Sequence, residues 1–144
     1  MKILVSACLL GCACRYDGKS KPCYDVIALM DKHTLIPVCP EIYGGLSTPR
    51  SPSEIQGGAV VNKEGKDVTA EYEKGAAEAL ALARKFGCKV AILKAKSPSC
   101  GKGEVYDGSF SGQLTKGNGI TARLLAENGI EVFTENEINL FERG

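Results

Sequence analysis

The chain has 144 residues, of which 44% are hydrophobic and 24% charged, the make-up of one ordinary soluble domain spanning 1–144. Eighteen Lys and Arg against seventeen Asp and Glu leave a net charge of +1, so electrostatics offer no argument for nucleic acid or an anionic membrane as partner. No stretch approaches the roughly 20 apolar residues of a membrane span.

Four short apolar runs read as strands. The first is Ile3-Leu4-Val5, following Lys2. With small residues after it, this run also has the outline of a weak signal peptide, but a buried first strand fits it better. Pro22 stands where a helical turn would start, with Tyr24 to Lys32 to follow. The second run is Leu35-Ile36-Pro37-Val38, whose proline suits an edge strand. Residues 40–58 then carry prolines and glycines and read as a long irregular segment. Thr69 is placed to cap a helix over about 70–86, which Gly87 would stop. Tyr72, Ala76, Ala79, Leu80 and Ala83 keep helical spacing along it.

The third run is Val90-Ala91-Ile92-Leu93. A second irregular stretch, 94–119, follows, in which 104–110 has the look of a short strand or turn. Ile120 to Asn128 reads as a helix ended by Gly129, Ile130 to Phe133 as the fourth strand, and Glu135 to Glu142 as a last short helix. Strands alternating with helices imply an α/β fold, a three-layer, Rossmann-like domain with a short, mostly parallel sheet.

Seven cysteines are many for this length, and an odd number does not make a complete disulfide framework. A reducing cytoplasm, where clustered cysteines bind metal or do chemistry, is the setting this suggests. Cys8 follows the first strand, Cys39 the second and Cys100 the third. In a parallel sheet those carboxyl ends share one crevice, the place where such folds bind ligands. Three thiolates suit either an iron–sulfur cluster with one open iron or a catalytic zinc with an open position, and the spacing leaves both standing. Ser97-Pro98-Ser99-Cys100-Gly101 reads as a tight loop whose amides would surround a sulfur-rich anion.

Glu41 lies two residues past Cys39. A partly buried carboxylate beside thiolates would be poised for proton transfer near neutral pH. Cys12 and Cys14 lie near Cys8 as alternative ligands, whereas Cys23 and Cys88 read as structural. Asp17 and Asp107 each precede a glycine, as turn residues do, with site roles as the rival. For Arg50 a solvated loop charge competes with a group that binds substrate oxygens. Lys94 ends the third strand and would lean over the crevice. His33, the only histidine, sits at a helix end, where a cation is commonplace.

Several segments together resemble a known family. They are Val5-Ser6-Ala7-Cys8-Leu9-Leu10-Gly11, Cys14-Arg15-Tyr16-Asp17-Gly18, Cys39-Pro40-Glu41, Gly45 to Arg50, Gly65 to Thr69, Leu93-Lys94 with Ser97 to Gly101, and Tyr106 to Phe110. Their order and length are similar to those of a bacterial family long catalogued as a domain of unknown function, whose characterised members are 2-thiouracil desulfurases. The resemblance implies a 4Fe–4S cluster on Cys8, Cys39 and Cys100. It further implies a glutamate and a serine beside the cluster, by position Glu41 and either Ser97 or Ser99. The implied chemistry is non-redox removal of sulfur from a thiocarbonyl compound such as 2-thiouracil. A cluster or zinc sensor without turnover is the alternative from another class. A thiol–disulfide redox enzyme is a weaker third reading, since no C-x-x-C is present.

Overall fold

Four strands form the central sheet, and all of its pairings are parallel: β1 (Lys2–Ser6), β2 (Thr34–Val38), β5 (Val90–Leu93) and β8 (Glu131–Thr134). The structure, a computed structural model, describes residues 1–143. The sheet order is β2-β1-β5-β8. All four sequence-predicted strands are therefore present, and β2, which carries Pro37, is an edge as expected.

Side chains alternate across β1. Leu4 points to one face with Ala91, Leu93 and Val132, against α3 (Thr69–Phe86) and α4 (Ile120–Glu127). Ile3 and Val5 point to the other with Ile92 and Phe133, against α1 (Tyr24–Ile27) and α5 (Ile138–Arg143). This gives the three layers. Leu4, Ile3, Val5 and Ile92 are wholly buried, and each such aliphatic side chain contributes roughly 2 kcal/mol.

The expected helix 24–32 is one α-turn, α1, continued by a 3-10 turn over Ala28–Asp31. The last helix begins as a 3-10 turn at Glu135–Glu137. Thr134 and Glu137 form a reciprocal cap there: the threonine side chain accepts the Asn136 N–H, and the Glu137 carboxylate accepts the Thr134 N–H.

Thr69 does not cap the long helix. It is the first residue of α3, and its hydroxyl oxygen accepts the Val60 N–H at 2.9 Å. The Asp67 carboxylate instead accepts the Thr69 N–H. That exchange ties α3 to a hairpin of β3 (Ser53–Gln56) and β4 (Ala59–Asn62), which occupies part of the segment read as irregular. Gly57 and Gly58 turn the hairpin with φ of 53° and 88°, values that glycine adopts freely. A second small ribbon pairs β6 (Glu104–Tyr106) with β7 (Leu114–Lys116), inside the other long segment.

One close approach shapes the cavity wall. The short helix α2 (Pro40–Tyr43) crosses α3 where Gly44 faces Glu71 and Gly75 faces Pro40. A Cβ on either glycine would run into a backbone carbonyl of the other segment. The two backbones therefore touch, and Glu41 on α2 comes within reach of Tyr72 on α3.

Candidate active site

A cavity of about 410 Å³ opens at the carboxyl end of the sheet. Cys8, Cys39 and Cys100 all line it, and they follow β1, β2 and β5, three neighbouring strands. Cys8 lies in a 3-10 turn over Ala7–Leu10, which Gly11 ends in a left-handed conformation. Cys39 stands at the N-terminus of α2. Cys100 lies in the loop after β5.

Burial dominates at Cys8 and Cys100. It pushes Cys8 up to about 11, against the pull of Lys94, and Cys100 up to about 12, against a hydrogen bond from Ser6. Cys39 goes the other way. The Cys14 thiol hydrogen-bonds to its sulfur and favours its thiolate, while Cys14 is driven upward by the same contact. Cys14 is buried and lines the cavity. Cys12 is exposed and lies outside the cavity wall, and Cys23 and Cys88 also lie outside it.

The donor set suits a group larger than one ion. Among the described residues, no three His, Cys, Asp or Glu side chains stand close enough together to hold a single metal ion. Three thiols lining one cavity fit a cluster of several irons better than a single ion.

Glu41 lines the same cavity, and its partners have no counterpart in the linear pattern. Its Oε2 accepts from Arg50 Nε at 2.9 Å and from Arg50 Nη2, and its Oε1 accepts from the Tyr72 hydroxyl at 3.0 Å. Arg50 is neither a solvated loop charge nor a free ligand for substrate oxygens. Its side chain is 7% exposed, and its remaining N–H groups go to the Ser47 carbonyl, the Thr48 hydroxyl and the Cys14 carbonyl. All five guanidinium donors are thereby used.

The structure separates the two serines. Ser97 lines the cavity, and its oxygen accepts the N–H groups of Ser99 at 3.1 Å and Cys100 at 3.0 Å. Its hydroxyl hydrogen remains available as a donor. Ser99 is turned away: it is 1% exposed and shares a 2.8 Å hydrogen bond with Thr121 on α4. The loop's amides do not form the anion cradle expected from the sequence. Those of Ser99, Cys100 and Gly101 close on Ser97, so they are spent inside the loop. The loop's carbonyls in turn accept the first N–H groups of α4, which anchors Cys100.

Lys94 does line the cavity, and its ammonium is held by Glu135 at 3.0 Å. Asp17 and Asp107 are turn residues outside the cavity wall, their carboxylates accepting the N–H groups of Lys19 and Ser109. His33 packs edge-on against Phe141 and is not part of the cavity wall.

Other residues of the site carry little or no signal of their role in the linear pattern. Ser6 is buried beside Cys100, and its hydroxyl oxygen accepts the Lys94 N–H. Glu54, 9% exposed, accepts the N–H groups of Gly108 and Phe110 and so pins the 106–112 loop over the cavity, where Tyr106 and Phe110 join the lining. Tyr72 counts as one apolar position of a helix by spacing. A tyrosine in an apolar stripe needs a partner for its hydroxyl, and that was the available signal. Nothing local marks Glu54.

Fold and site together define an α/β protein with a thiol-lined crevice at the carboxyl end of its sheet. The model of the 2-thiouracil desulfurase family matches residues 3–137, and the chain belongs to that family. It is 44% identical over 147 residues, 95% of this chain and 97% of its relative, to the uncharacterised protein YbbK of Bacillus subtilis (strain 168). Among solved structures it is similar to the [4Fe-4S]-dependent thiouracil desulfidase TudS, at 46% identity, with a TM-score of 0.88 over 96% of this chain and 93% of that one. The resemblance read from the motifs, the α/β class and the desulfurase enzyme class are borne out. Among the described residues no helix is long and apolar enough to cross a membrane.

Proposed function

We infer that this chain removes sulfur from a small thiocarbonyl compound of the thiouracil kind, using a 4Fe–4S cluster held by Cys8, Cys39 and Cys100. The observation that carries the reading is positional: three adjacent parallel strands each deliver one thiol to a single cavity, beside a partly buried carboxylate. When bound, such a cluster has one iron without a protein ligand, a Lewis acid for the thiocarbonyl sulfur.

The chain's own groups do the rest. Glu41 accepts the proton of the attacking water. The Ser97 hydroxyl, its oxygen fixed by two N–H groups, donates to the departing sulfur or the developing oxygen. Overall one C=S bond and one water become one C=O bond and hydrogen sulfide, with no change of oxidation state. The 106–112 loop pinned by Glu54 adds Tyr106 and Phe110 to the cavity wall beside these groups. Seven free thiols support a reducing, cytoplasmic setting.

The test is anaerobic reconstitution with iron and sulfide, followed by a panel of thiobases scored for released sulfide and carbonyl product in equal amounts. A brown protein that releases no sulfide from any of them would favour a cluster store or sensor instead.

A further inference from the structure

We propose that Arg50 and Tyr72 are positioning residues that aim the Glu41 carboxylate at the cavity, leaving it one usable lone pair. The proposal rests on the acid–base reading of Glu41 and adds what makes that group directional.

A carboxylate offers about four acceptor sites, two on each oxygen. On Glu41, Oε2 takes two guanidinium N–H groups and is filled. Oε1 takes the Tyr72 hydroxyl, and among the described residues nothing else, so one site remains. Glu41, Arg50 and Tyr72 all line the cavity, and that remaining site is the acceptor a water or a substrate N–H would find there.

The clamp has a rigid origin. Tyr72 is 3% exposed and sits one helical turn before Gly75, whose missing side chain lets α3 touch α2. Arg50 is fixed at its far side by the Ser47 carbonyl and the Thr48 hydroxyl, and by the Cys14 carbonyl beside Cys39. Three separate segments therefore converge on one carboxylate. A pair kept only for stability would also satisfy its donors, but it would close the carboxylate's remaining lone pair as well. Here all three side chains line the cavity and that lone pair is left open to it.

The test is a double-mutant cycle on the reconstituted enzyme with 2-thiouracil as substrate, using Tyr72→Phe, Glu41→Gln and the two together, with Arg50→Lys as a further variant. Iron and acid-labile sulfide per chain and the thermal midpoint are measured on each. Tyr72→Phe deletes only the hydroxyl, so cluster content and KM should hold while kcat falls roughly tenfold. Glu41→Gln should lower kcat by about a hundredfold or more. The double variant should be no worse than Glu41→Gln alone, because Tyr72 acts through Glu41.

Arg50→Lys keeps the charge but loses the two-pronged grip, and should lower kcat more than Tyr72→Phe does. Should that variant fail to fold, the Tyr72 cycle decides alone. Independent, multiplying losses in the double variant would overturn the proposal, as would an unchanged kcat in Tyr72→Phe. Full activity in Glu41→Gln would instead remove the acid–base reading itself, and the positioning role with it.

Discussion

The cavity has two walls of different origin. One is the sheet edge, where Cys8, Cys39 and Cys100 hang from strands whose pairing is dictated by buried apolar side chains. The other is the carboxylate corner, where Glu41, Arg50 and Tyr72 come from a short helix, a loop and a long helix. The first wall positions thiols by topology. The second positions a carboxylate by hydrogen bonds that cross between segments. The two walls should therefore fail differently, one losing the cluster and the other losing turnover with the cluster in place.

The largest effect is expected at the first wall. Serine at Cys8, Cys39 or Cys100 removes a thiolate, and each variant should lose most of its visible iron–sulfur absorption and all measurable activity. Serine at Cys23 or Cys88 should leave the absorption intact, since neither lines the cavity. A full cluster in Cys100→Ser, together with its loss in Cys14→Ser, would replace Cys100 by Cys14 in the ligand set. Prolonged aeration should bleach the wild type and abolish activity, because the cavity is open to small oxidants.

Next comes the second wall. Glu41→Gln should keep the absorption of the wild type and lose about a hundredfold or more in kcat. If absorption and turnover fall together, the two walls are not separable, and Glu41 belongs to cluster assembly rather than to proton transfer.

This division also explains what was legible in the sequence. The strands announced themselves as short β-branched runs, and a cysteine after each of three runs put the thiols on one edge by topology alone. The corner has no such rule. Arg50 is flanked in the sequence by Pro49 and Ser51 and looks like any loop charge, and only the fold brings it to Glu41. Gly57-Gly58, with Ile55 before and Val60-Val61 after, carried a hairpin signal that the surrounding prolines and glycines obscured. Thr69 had a capping residue's identity and position. The tertiary contact with Val60 took its hydroxyl, and such an override is invisible in a linear reading.

A smaller effect separates the two serines. Ser97→Ala removes a cavity donor and a cap on the Cys100 loop, so kcat should fall by about tenfold while some cluster is retained. Ser99→Ala leaves Thr121 without its buried partner and should cost about 1–3 kcal/mol of stability with kcat little changed. Thermal denaturation and initial rates on both variants distinguish them. The reverse pattern would move the catalytic donor to Ser99.

The smallest effect is read on the chain without iron. Burial raises the Cys8 thiol from the ordinary 9.0 to about 11 and the Cys100 thiol to about 12, so the fold favours their neutral, protonated forms. The unfolded chain releases these protons first as pH rises. The contribution of the two thiols to stability is therefore whole below pH 9.0 and shrinks as pH climbs through the folded values near 11 and 12. Urea midpoints of the reduced, iron-free protein should fall beyond about pH 9; below that, Cys39, whose thiol is held down by the Cys14 hydrogen bond, ionises first in the folded chain and makes stability rise with pH. Serine at both Cys8 and Cys100 should flatten part of that fall, because serine does not titrate there. Glu41→Gln removes a negative charge that helps to raise Cys100 and Tyr72, so it should lessen the fall, but by less than the loss of both thiols does, because burial is the larger cause. An alkaline slope that vanished with Glu41 and persisted without the two thiols would show that the deep thiols are not held neutral by the sheet edge. The contrast between the two walls would then be lost at the level of electrostatics.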